Sequence, residues 1–165
     1  MDFNNLDSIK QAGFVGFKSK EDLFLDCSEI PKVKGVYLIL YVGPINPSYL
    51  EFGTGGHFKG KNPNVPLSFL DSNWVDNTKV IYIGKAGGDT SNATLLSRLK
   101  QYFGFGQGKP IGHWGGRLIW QLEKSRQLIV CWKPLPDEEP RRIEAELIKD
   151  FASQYGSRPF ANLAD

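Results

Sequence analysis

Cysteine is scarce in this chain: Cys27 and Cys131 are the two present among 165 residues, far apart and flanked by apolar neighbours. Neither a disulfide framework nor a Cys-x-x-Cys zinc site can be assembled from them, and both read as ordinary buried thiols. Long hydrophobic runs are missing too. No stretch approaches the roughly 20 apolar residues of a membrane helix. The amino terminus MDFNNLDSIK is polar and acidic where a signal peptide is basic and then apolar. The expected location is the cytoplasm. An excess of one charge sign is also lacking, because 20 Lys and Arg stand against 18 Asp and Glu, a formal net charge of +2. That excludes a basic tail protein and an acidic solvating chain, so any nucleic-acid contact must come from a local patch. No fixed period repeats and no segment is of low complexity.

What is present is apolar surface. Hydrophobic residues at 41% and charged residues at 23% supply a sizeable core and exclude global disorder, and 165 residues suit a single domain over the whole chain. Residues 1–34 read as an N-terminal elaboration with short helices at Asp7 to Ala12 and Lys20 to Leu25. From Gly35 the run GVYLILYVG suits a strand buried on both faces. Residues 44–72 are rich in proline and glycine and carry Lys59, Lys61 and His57 in a long loop, readable as a lid over a site or as a surface insertion. KVIYIG, Lys79 to Gly84, is a second strand. Ser91 or Asn92 then caps a helix through Phe103, Gly115 to Ser125 is a short helix or one arm of a hairpin, and Gln127 to Trp132 is a third strand. A final helix runs from Pro140 to about Tyr155. Three strands in mixed order with helices predict an α/β (α+β) protein whose small sheet is covered by helices.

The last helix supplies a physical clue. Ile143, Leu147, Phe151, Tyr155 and Ile148 span an arc of about 140° on a helical wheel, and Glu144 falls inside it. Glu146 projects about 160° away, beside Arg142, Lys149 and Ser153. A carboxylate on an apolar face needs a cation, a metal or several donors, which leaves a buried salt bridge and a metal site both open. Tyr37 and Tyr82 are equally open, as core aromatics or as site hydroxyls. Lys85 places a cation at a strand end, where a phosphate can approach the turn. GKAGGDTS lacks the P-loop spacing, and Gly104, Gly106 and Gly108 read as a flexible joint.

Taken in order, GVY at Gly35 to Tyr37, YIGKA at Tyr82 to Ala86, RLKQY at Arg98 to Tyr102, EAELIK at Glu144 to Lys149 and PFAN at Pro159 to Asn162 resemble the GIY-YIG nuclease superfamily. The resemblance implies a small three-stranded antiparallel sheet flanked by helices, and a divalent-metal-dependent endonuclease that cuts DNA. It places the metal-binding glutamate on Glu144, with Mg²⁺ or Mn²⁺ as cofactor. The phosphate-holding arginine falls on Arg98, and Tyr37 becomes the group that orients or deprotonates the attacking water. A phenol is a poor base unless cations lower its pKa, a task that falls to Lys85 and the metal. Tyr82 is then a hydrogen-bonding partner of nucleophile or phosphate, and Asn162 braces the site.

Two departures from the pattern stand out. Residues 38 to 81 separate the two tyrosines where compact members have a short hairpin. The position one helical turn after the arginine is Tyr102, where the homing-endonuclease branch has histidine; His113 resembles in position another histidine of that branch. Lys59, Lys61, Lys100 and His113 are the expected nucleic-acid contacts. The functional expectation is a DNA endonuclease, alone or as a homodimer. Its alternative is a DNA-binding or repair module of the same fold that depends on an accessory targeting protein and cuts little by itself.

Overall fold

Short polar turns break the apolar runs into elements whose order places helices on both faces of one sheet. The computed structural model describes residues 1–163. Along it run α1 (Leu6–Gln11), β1 (Val15–Ser19), α2 (Lys20–Leu25), β2 (Gly35–Leu40), α3 (Leu67–Asn73), β3 (Val80–Ala86), α4 (Leu95–Gly106), β4 (Ile129–Pro134) and α5 (Pro140–Tyr155). Two 3₁₀ turns, Arg117–Gln121 and Ser125–Gln127, lie between α4 and β4. The strands form a single antiparallel sheet in the order β1-β4-β2-β3. This is a mixed α/β protein.

All six residues of β2 are buried, as its continuous apolar run predicts. Alternate residues serve opposite faces. Tyr37 and Ile39 join Tyr82 and Trp132 and the α4 residues Leu95 and Leu99 in one cluster. Val36 and Leu38 join Ile83, Cys131 and the α5 residues Ile148 and Phe151 in the other. The helix α5 keeps its expected bounds, with Pro140 in its first turn and Gly156 ending it at φ 75°.

The sheet has four strands where three were expected. Strand β1 is hidden in the sequence because it does not alternate: Gly16 and Phe17 both take positive φ, 94° and 51°, and break the register between Val15 and Lys18. Residue 16 has no room for a side chain, since a Cβ there would lie 2.5 Å from the Trp132 ring. The α4 cap is Thr94, which forms a reciprocal capping box with Ser97. Ser91 is instead held in a tight turn by its bridge to Gly88. Of the two cysteines, Cys131 is buried as expected and Cys27 is half-buried. No helix among the described residues is long and apolar enough to cross a membrane.

Residues 44–72 contain most of α3 and are stapled to the first 3₁₀ turn by one side chain. Gln121 Nε2 donates to the carbonyls of Leu50, Glu51 and Val65 at 3.2, 3.3 and 2.9 Å, and its Oε1 accepts from the Val65 amide at 2.8 Å. A single buried amide thus saturates its donors while fixing two separated stretches of the insertion.

The core contains one ionisable surprise. Lys20 is 0% exposed, with Nζ 3.5 Å from the centroid of the Trp120 ring and without a hydrogen-bond partner. The ring face attracts an ammonium by about 2 kcal/mol at best, whereas stripping an ion of water costs several. Burial therefore wins and holds the Lys20 pKa well below its ordinary 10.5, helped by the charge of Arg126. Between that depressed value and 10.5 the unfolded chain binds more protons than the folded one, so this group makes stability rise with pH across the window. Lys20→Met is expected to stabilise the fold by about 1–3 kcal/mol at pH 7. The gain should shrink as pH approaches 10 in urea melts of the two proteins. A destabilised variant, or a gain independent of pH, contradicts this.

Candidate active site

Residue 84 is glycine because of where Tyr37 goes. In the register of β2 and β3, Tyr37 faces Gly84, and a Cβ at residue 84 would lie 2.6 Å from the Tyr37 hydroxyl oxygen. The Tyr37 ring is thereby free to approach Tyr82, with ring centroids 6.1 Å apart. Tyr37 is enclosed, but Tyr82 is 6% exposed and forms part of the wall of a cavity of about 710 Å³. Gly115 and Gly116 pack against the Tyr82 ring; a Cβ on Gly115 would lie 2.9 Å from its oxygen.

Separate elements complete the wall. Lys85 comes from the end of β3, Arg98 from the first turns of α4, Glu144 from α5 and Asn162 from the segment after α5. That segment is zipped onto β3, which is an edge strand with outward backbone groups to satisfy. The Ala161 amide donates to the Ile81 carbonyl at 2.9 Å. Asn162 clasps Ile83 twice, accepting from its amide at 2.9 Å and donating to its carbonyl at 2.8 Å. Asn162 braces the strand that carries Tyr82, and its own amide is largely committed to that task.

Charge collects here although the chain as a whole is nearly neutral. Among the described residues, Lys85, Arg98, Arg117 and Arg141 line the cavity against one carboxylate, Glu144. Such a recess focuses positive potential and suits an anionic ligand. The Arg98 guanidinium donates to Gln101 Oε1 at 3.3 Å and stays half-buried at the wall.

The tyrosines respond to burial first. It pushes the Tyr37 hydroxyl well above 10, with the charges of Tyr82 and Glu144 adding to the rise and Arg98 opposing it. Tyr82 is pushed up to about 12 by burial and then by Glu144, again against Arg98. Burial thus favours the neutral, hydrogen-bond-donating form of both hydroxyls.

The donor set around Glu144 is hard oxygen: its own carboxylate and nearby phenols. One carboxylate is what a Mg²⁺ ion needs when water and substrate phosphate fill its other positions, so the residues suit such an ion. They do not suit a metal held by protein ligands alone. Among the described residues, no three His, Cys, Asp or Glu side chains come together.

Other expected contacts lie elsewhere. Lys59 and Lys61 are exposed at a tight turn of the insertion and do not line the cavity. Lys100 is exposed on α4, where its charge acts on Cys27. His113 is 1% exposed, packed on Tyr102 at 4.8 Å, and held neutral by burial and by Arg98, which bring its pKa down to about 3. A strand of nucleic acid cannot touch it in this arrangement, so the expected contact at His113 is withdrawn. The sequence reading missed Trp114, Arg117 and Arg141. Arg141 was recoverable, since it precedes Glu144 by three residues and shares its helix face. Arg117 follows a Gly-Gly pair whose close approach to Tyr82 only the fold reveals.

Asn162→Ala removes both partners of Ile83 in a buried setting. It should lower stability by about 1–3 kcal/mol and speed hydrogen exchange at the Ile83 amide more than at the β2 amides. Unchanged exchange at Ile83 would show that the clasp does not hold the strand. Comparison of the chain with known protein families, curated proteins and solved structures gives no match.

Proposed function

We propose that the protein is a divalent-metal-dependent DNA endonuclease of the GIY-YIG type, hydrolysing phosphodiester bonds by attack of water. One observation carries the reading: Tyr82, Lys85, Arg98, Glu144 and Asn162, singled out from ordered motifs spread over the sequence, line the same cavity, with Tyr37 directly behind Tyr82. Glu144 would hold Mg²⁺ or Mn²⁺. Bound there, the ion supplies Lewis-acid stabilisation of charge on the phosphate and the leaving oxygen. Arg98 holds a nonbridging phosphate oxygen and neutralises charge that grows in the transition state. Lys85 and Arg141 add positive potential to draw the polyanion in. The Tyr82 hydroxyl orients the water or phosphate, and Tyr37 fixes the Tyr82 ring by packing behind it. Asn162 holds the edge of β3 still beneath them.

The test is incubation of the purified chain with supercoiled plasmid, linear duplex and branched DNA in Mg²⁺, Mn²⁺ or EDTA. Cutting should require metal and should fall by about 10²-fold or more in Glu144→Ala and in Arg98→Ala, with circular dichroism unchanged. Full activity in Glu144→Ala, or cutting in EDTA, would overturn the assignment. Tight binding to branched DNA without cutting would favour the partner-dependent module instead.

A further inference from the structure

A second recess adjoins the cavity and has no role in the chemistry above. It measures about 490 Å³ and lies between α3 and the chain after α5. Arg117, Asn162 and Leu163 line both spaces, so the recess continues the cavity along the surface. Phe69 lines it while remaining 39% exposed, so its ring is open to a ligand in the recess. Arg117 and Arg158 bring two cations, and no carboxylate lines the recess among the described residues. Its walls are fixed. Ser72 Oγ and Asn73 Nδ2 both donate to the Phe69 carbonyl, at 3.0 and 2.8 Å, and Trp74 packs edge-on against Phe160 with centroids 5.3 Å apart. Arg117 lies over the Trp114 ring at 4.6 Å, which aims it at the junction between the two spaces.

An exposed aromatic ring beside two arginines is the chemistry of a stacking platform for an unpaired nucleotide. Inside a duplex each base face is covered by its stacked neighbours, which leaves none free for Phe69. We propose that this recess is a subsite for an unpaired DNA strand continuing out of the cavity, with Phe69 stacking on a base and Arg117 and Arg158 on its phosphates. The proposal rests on the nuclease reading for the origin of the strand, and it gives the insertion a function: α3 guides the substrate without covering the site.

Fluorescence anisotropy of a labelled single-stranded deoxyoligonucleotide with the full chain in EDTA tests it independently of cleavage. Phe69→Ala should weaken binding by about fivefold or more, and Phe69→Trp should restore it. Arg158→Ala should lower the slope of log affinity against log salt by about 0.7. Equal binding by all three variants, or no strand binding by a wild type that cuts duplex, overturns the subsite and leaves the nuclease standing. Strand binding that depends on Phe69 and Arg158, in a chain that cuts nothing in any metal, supports the subsite and removes the nuclease.

Discussion

The contact between the Tyr37 ring and the bare backbone of Gly84 is the constraint on which the site depends. Any Cβ at residue 84 would occupy the place of the phenol. With the phenol there, Tyr37 meets Tyr82, Tyr82 stacks on Tyr102 at 6.1 Å, and Tyr102 packs on Trp120 at 4.9 Å. This file of rings runs from the cavity wall to the buried amine of Lys20 above Trp120. Close-packed rings of this kind have few alternative arrangements, so the hydroxyl at the cavity is positioned by the core behind it.

The rest of the cavity is assembled from segments distant in sequence, each anchored for an ordinary structural reason. Helix α5 packs its apolar stripe on the sheet, which carries Glu144 to the edge of β3. The chain after it repairs that edge strand, which delivers Asn162. Arg98 lies on the same helix as Leu95 and Leu99, whose burial beneath the sheet sets where its guanidinium emerges. Among the described residues, the result is a local excess of four cations over one carboxylate in a protein of net charge +2. Positive potential is therefore concentrated at the cavity and its neighbouring recess, in a composition that offers no general basic surface.

Much of this was legible in the sequence wherever one residue pattern had one structural meaning. The unbroken apolar run at Gly35 suited a doubly covered strand, and all six residues of β2 are buried. The wheel of α5 placed Glu144 inside an apolar arc, and the fold puts it half-buried at the cavity wall. What stayed hidden had causes of three kinds. Strand β1 lacks alternation because two residues of positive φ bulge it. The insertion looked loose because its order is supplied by Gln121, more than 50 residues away from the Val65 backbone it binds. Lysines 59, 61 and 100 share the composition of a binding surface, but only the fold says which way each emerges, and none emerges into the cavity. His113 showed the opposite error, since positional likeness says nothing about burial.

The most direct test of the account is where a divalent cation goes. In a ¹⁵N-labelled sample with substoichiometric Mn²⁺, paramagnetic broadening should begin at amides near Tyr82 to Ala86, Arg98, Glu144 and Asn162, and Glu144→Gln should abolish it. Broadening centred instead on Glu138, just before α5, and Glu146, the two carboxylates paired with Arg142, or a pattern unchanged in Glu144→Gln, would contradict the assignment of this cavity as the catalytic centre.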